Sequence, residues 1–160
     1  KTLKNFQELF VLFSCEEDNN LLDIIKVFAS NETNIVPVLN TDHKYIGYYD
    51  LVEILHLYNE TPFLNNDGVV LTLEKEIRDY SFSEICQIVE SNNGNLLGVF
   101  ISESNATTVK IILKFSSQDV NEIIQSFRRY NYKVLSKHKE DFYLDELKDR
   151  TNYLQKYLNI

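Results

Sequence analysis

The sequence predicts an α+β protein made of two unlike segments, and three observations lead there. Apolar residues recur at two different periods. Val69, Leu71 and Leu73 alternate as a strand does, while Val120, Ile123, Ile124 and Phe127 follow the three-and-four spacing of a helix face. Such runs follow one another as strand, helix, strand, strand, helix, and then as strand, helix, strand, strand, helix, strand. Between the two series lie Thr61-Pro62 and Asn65-Asn66-Asp67-Gly68, the strongest cluster of turn residues in the chain. The charge balance also changes there, from −6 over residues 1–60 to −2 over residues 61–160. Thr61 to Gly68 is therefore expected to be a loop between two domains.

In the first segment, Leu3, Phe6, Leu9 and Phe10 share one side of a short linker helix over residues 2–10. Val11-Leu12-Phe13 reads as a strand or an extended link. Asn20 is a helix cap with Asp23 at the third helical position, and Leu21, Ile24, Ile25 and Phe28 form the apolar stripe of a helix ending near Ser30-Asn31. Ile35 to Leu39 is a short strand whose proline predicts an edge position or the strand's beginning. Thr41 to Lys44 is a polar turn, Tyr45 to Tyr49 a further strand, and Asp50 caps a helix carrying Leu51, Ile54, Leu55 and Tyr58.

Ile35-Val36-Pro37-Val38-Leu39, a polar turn, and then the run from Tyr45 through Gly47, Asp50 and Glu53 to Leu55 resemble the core of a CBS motif over residues 11–58. The resemblance implies a β-α-β-β-α unit across residues 1–60. Such motifs work in pairs that hold an adenine nucleotide between them. This unit would then be the second half of a pair, with its partner upstream of Lys1, and a sequence without a single methionine fits a piece of a longer chain. The implied nucleotide contacts are Asn34, Ile35, Val36, Pro37, Asp50 and Glu53. Nucleotide-binding members usually carry Ser or Thr three residues after the glycine and Asp three further on; here those positions hold Asp50 and Glu53. Glu53 suits ribose hydroxyls, whereas Asp50 sets a carboxylate against phosphate, which costs affinity. The same pair has the spacing of a capping box, which needs no ligand.

The second segment opens with a strand over Gly68 to Glu74. Ser81 and Glu84 have capping-box spacing, with Tyr80 and Ile85 as the hydrophobic staple. The helix that follows presents Ile85, Ile88, Val89 and Asn92 on one face and stops at Asn93-Gly94. Leu96 to Ser102 and the run Val109, Ile111, Leu113, Phe115 are strands around the turn Glu103 to Asn105. Ser116 and Asp119 open a second helix with Arg128 and Arg129 in its last turn, and Tyr132 to Lys137 is a fourth strand. This βαββαβ order is ferredoxin-like. Together with Gly68 to Leu73, Ser83 to Asn93, Val109 to Phe115 and Phe127 to Tyr130, it resembles an ACT-like domain over residues 68–138. The CBS-then-ACT order is similar to the acetoin-utilisation type of bacterial CBS protein. Amino-acid-binding ACT domains often place Asp, Pro and Gly in the first strand-to-helix loop. Here Arg78-Asp79-Tyr80-Ser81 lacks glycine and proline. Arg78 and Asp79 are the weaker candidates, suited in principle to the carboxylate and amine of an amino acid, but the charge run favours a solvated loop.

A C-terminal helix is expected over residues 141–160, where Leu144, Leu147, Thr151, Leu154 and Leu158 step by three and four. That seam and the open edges of a four-stranded sheet predict a homodimer. A net charge of −8 argues against nucleic acid as partner, and no apolar run reaches the roughly 18 residues of a membrane helix. Cys15 and Cys86 read as reduced thiols of a cytoplasmic protein. His43, His56 and His138 are too scattered for a metal site, and no nucleophile or phosphate loop stands in a recognisable framework. The sequence thus predicts a non-enzymatic regulatory protein that senses a small molecule. It needs no cofactor, with an adenine nucleotide as the leading ligand. The alternatives are a ligand-free dimerisation scaffold and a regulatory fragment of a larger enzyme.

Overall fold

The computed structural model describes residues 12–136. The linker helix expected over residues 2–10 and the C-terminal helix expected over residues 141–160 lie outside the described residues. The chain has the expected α+β character and divides between Asn65 and Asn66 into two compact units.

The first unit runs β1 (Cys15–Glu16), α1 (Leu21–Asn31), β2 (Ile35–Leu39), β3 (Tyr45–Asp50), α2 (Leu51–Asn59) and the single turn α3 (Pro62–Asn65). Its sheet has the order β1-β2-β3, with β1 parallel and β3 antiparallel to β2. Asn20 caps α1, its Oδ1 accepting the amides of Leu22 and Asp23 at 3.0 and 3.1 Å. Ile24 and Phe28 of the predicted stripe then meet Cys15, Val36 and Ile54 in a small buried core. Because side chains alternate along a strand, burying Val36 and Val38 turns Ile35 to the other face, where it is more than half exposed.

Three expectations take a sharper form here. The first strand lies at Cys15–Glu16; of Val11-Leu12-Phe13, Leu12 and Phe13 are described and lie outside any strand, which agrees with the extended link of the two readings. Pro37 stands in the middle strand, opposite Tyr48, and not at an edge or a beginning. The placement is tolerated because β1 pairs only with Val38 and Leu39, so on that side Pro37 has no ladder partner for its missing N–H. The expected loop from Thr61 to Gly68 contains the helical turn α3, fastened by the amides of Leu64 and Asn65 to the Thr61 carbonyl.

The second unit runs β4 (Val69–Glu76), α4 (Phe82–Ser91), β5 (Asn95–Ser104), β6 (Thr108–Ser116), α5 (Val120–Arg129) and β7 (Lys133–Val134). Its sheet has the order β5-β6-β4-β7, with every neighbouring pair antiparallel. Leu71 and Leu73 of β4 and Val109, Ile111, Leu113 and Phe115 of β6 all point to one buried face, and both helices lay their apolar stripes on it. Asp119 caps α5 by accepting the Glu122 amide at 3.1 Å, whereas Ser116 belongs to β6.

The ends of these elements depart from expectation for local reasons. At the end of α4 the left-handed residue is Asn93, with φ of 57°, and Gly94 is needed for space instead. A Cβ on Gly94 would lie 2.8 Å from Val89 Cγ1 and 2.9 Å from Ile123 Cδ1. The β5–β6 turn begins at Asn105, whose Oδ1 accepts the amides of Thr107 and Thr108. The fourth strand keeps only Lys133 and Val134, because Tyr132 turns into the core and meets Phe127 edge-on at 5.6 Å; Lys137 lies outside the described residues.

Candidate functional site

The sharp turn from β3 into α2 builds the candidate site of the first unit. The Leu51 amide donates to the Asn34 carbonyl at 3.0 Å, and Ile35 pairs with Asp50 across the β2–β3 ladder. Asp50 Oδ1 accepts the amides of Val52 and Glu53 at 2.8 and 3.3 Å, which fixes the first turn of α2. Asn34, Ile35, Asp50 and Glu53 are thereby gathered at one end of the sheet. Val36 is not available as a side-chain contact, because strand alternation sends it fully into the core. Pro37 is partly buried and lies one residue pair further along, opposite Tyr48. Of the two tyrosines, Tyr49 packs against the core and Tyr48 is exposed on the opposite sheet face.

The charge of this end is negative. The described lysines of the unit are Lys26 on α1 and Lys44 in the β2–β3 turn, the latter 3.6 Å from Asp42, so neither sits with Asp50 and Glu53 in the ladder. A phosphate placed there would meet carboxylate without a compensating cation from these strands.

In the second unit, Arg78 and Asp79 are both exposed in the connection from β4 to α4. The Asp79 amide donates to the Glu76 carbonyl, which folds the connection into a turn, and both side chains face solvent.

A more enclosed polar cluster lies beside them. Lys75 Nζ donates to Glu84 Oε2 at 2.8 Å and to the Tyr130 carbonyl at 2.9 Å, and stands 3.9 Å from the centre of the Tyr132 ring. Glu84 was expected to complete a capping box with Ser81. The Ser81 hydroxyl does accept the Glu84 amide at 3.3 Å, but the Glu84 carboxylate turns to Lys75 because a partly buried ammonium demands a counter-charge. The hydrogen bond from Lys75 holds the Glu84 carboxyl below its ordinary range, while burial and the nearby Glu84 push the Tyr132 phenol up. The signal was present in the sequence: Lys75 follows Leu71 and Leu73 at period two, on the core face of β4. Every polar group of the cluster has a partner, so it braces the domain.

No protein-family model matches this sequence, and no curated protein is significantly similar to it. Among the described residues no cluster of three His, Cys, Asp or Glu side chains is placed to hold a metal, and no helix is long and apolar enough to cross a membrane. Cys15 and Cys86 are both free thiols; burial, and secondarily Asp23, push the Cys15 thiol up.

Proposed function

We propose that the chain is a non-catalytic regulatory protein that senses a small molecule. In this reading the first unit is one half of a CBS-type pair closing on an adenine nucleotide, and the second is an ACT-like regulatory domain. The observation that carries it is the fastening of Asn34 to Leu51 beside a sheet face that leaves Ile35, Tyr45 and Tyr48 exposed. Another βαββα unit laid on that face would bury these side chains and enclose a ligand against Asn34 and Glu53. The strand order β1-β2-β3 supports the motif, and the order β5-β6-β4-β7 supports the ferredoxin-like arrangement of the second unit.

A second reading, a dimerisation scaffold without ligand, is favoured by the commitment of Asp50 to capping α2. Both readings have the chain as a two-fold dimer, so light scattering should report twice the 18.8 kDa chain mass. Calorimetric titration of AMP, ATP and adenosine into a protein that carries both motifs of the pair separates them. A saturable heat from an adenine ligand, weakened several-fold by Glu53→Ala, is the expected result. A dimer that gives no heat with any of the three would overturn the sensor reading in favour of the scaffold.

A further inference from the structure

At the end of α4 opposite the Arg78–Asp79 connection, the second unit has a cavity of about 670 Å³. It forms where the last turn of α4, the start of β5, the end of β6 and the cap of α5 come together. It is an open hollow whose size lies within the roughly 300–1,000 Å³ of small-molecule sites, and its lining residues are all of polar types. Every lining side chain is an amide, a hydroxyl or a carboxylate.

Three of these side chains build the wall. Asn92 Nδ2 donates to the Ile88 carbonyl at 2.7 Å, the Ser117 hydroxyl accepts the Asp119 amide at 3.1 Å, and Asp119 Oδ1 accepts the Glu122 amide at 3.1 Å. The other four, Asn93, Asn95, Ser116 and Gln118, make no side-chain hydrogen bond to another described residue. Their backbones are nonetheless held in place. Asn95 and Ser116 pair across β5 and β6, and Asn93 occupies the left-handed turn that ends α4. Each amide offers donors and an acceptor, and the hydroxyl offers both, so neutral donors and acceptors stand side by side around one hollow.

This chemistry selects among ligands. An anion would face the Asp119 carboxylate with no lysine or arginine in the lining. A nucleobase or aliphatic chain would find no aromatic or aliphatic side chain to lie against. What fits is a neutral molecule whose surface consists of hydroxyl groups, each able to donate and accept. We propose that this cavity binds a neutral sugar or polyol through Asn93, Asn95, Ser116 and Gln118. The site shares no residue with the nucleotide reading of the first unit and stands or falls without it.

Saturation-transfer NMR on the full chain tests it, with glucose, ribose and myo-inositol as neutral probes and glucose 6-phosphate as the charged counterpart. The expected result is saturation of the ring protons of at least one neutral probe. That signal should be several-fold weaker for glucose 6-phosphate than for glucose, and lost in the Asn95→Leu/Gln118→Leu double variant. Both side chains are exposed, so the variant should melt with the wild type; Gln118→Ala, measured in parallel, gives the same reading if the double variant melts early. No saturation from any of the three polyols, equal saturation of the phosphorylated sugar, or a signal retained in the variants would each overturn the proposal.

Discussion

The Lys75 ammonium lies 3.9 Å from the ring centre of Tyr132, and the same ammonium holds the carboxylate of Glu84 at 2.8 Å. A cation that the alternation of β4 drives toward the core is thus neutralised by an acid from α4 and an aromatic face from the residue before β7. Three separate parts of the second unit depend on it.

Replacing Lys75 with Met keeps the apolar stem but leaves the Glu84 carboxylate and the Tyr130 carbonyl without their donor. The expected loss is about 1–3 kcal/mol of stability, the cost of stranding partly buried acceptors. Urea denaturation monitored on the second unit checks it, and the double variant Lys75→Met/Glu84→Gln should recover part of the loss. A single variant as stable as wild type would show that the cluster contributes nothing.

The pH profile of stability should bend at both ends. Glu84 has a lowered pKa when folded, so its contribution is complete above the unfolded carboxylate value of 4.5 and fades as pH falls through the folded one. Tyr132 has a raised pKa when folded, so its contribution holds below the unfolded phenol value of 10.0. It is lost as pH climbs above that, when only the unfolded chain releases the proton. Denaturation midpoints measured from pH 3 to 11 should show the acid limb flattened by Glu84→Gln and the alkaline limb flattened by Tyr132→Phe.

Two glycines should respond oppositely to alanine. In Gly94→Ala the new methyl meets Val89 and Ile123 at under 3.0 Å, and such overpacking costs about 1–3 kcal/mol. Gly47 has nothing within 4 Å of the added atom and no positive φ, so Gly47→Ala should be neutral or stabilising by up to ~1 kcal/mol. Thermal melts of the two variants compare them directly.

Asp50 can be stripped of charge without losing its cap, since asparagine caps helices as well as aspartate. Asp50→Asn should leave the melting temperature within a degree or so. If a phosphorylated adenosine binds beside α2, the variant should bind it more tightly while adenosine affinity stays the same. Titration of AMP and adenosine into both proteins gives the comparison; an unchanged ratio would mean that Asp50 does not face phosphate.

Helices α1, α2, α4 and α5 and the long strands β4 and β6 are legible in the sequence because one periodic face dominates each of them, and β5 is legible as a continuous apolar run. Ile123, Ile124 and Phe127 have no use except burial, and Asn20, Asp50 and Ser81 announce helix starts by side chains that serve neighbouring amides. What stays hidden depends on partners distant in the chain. Val11-Leu12-Phe13 outranks Cys15-Glu16 in apolar content, yet the bridge forms where Val38 and Leu39 can pair with it. Pro37 looks like an edge residue because nothing local reveals that β1 stops short of it. Glu84 has the spacing of a capping box, and only the folded sheet shows Lys75 competing for its carboxylate. At the candidate site, the end of β2 and the start of α2 are legible as a strand and a cap. The inward turn of Val36 follows only once it is known which face of β2 the helices cover.

The two cysteines divide evenly between the units, with consequences for observing them. Cys15 is sealed in the small core of the first unit, and Cys86 sits half-shielded on α4 of the second. An alkylating reagent therefore meets two clocks in one molecule. Cys86 should be modified at a rate set by its local surroundings. Cys15 waits for the first unit to open, because burial both shields its thiol and holds the thiol's pKa up while the unit stays folded. The ratio of the two time courses, read by mass, yields the opening equilibrium of one unit against an internal standard in the other, with no label introduced.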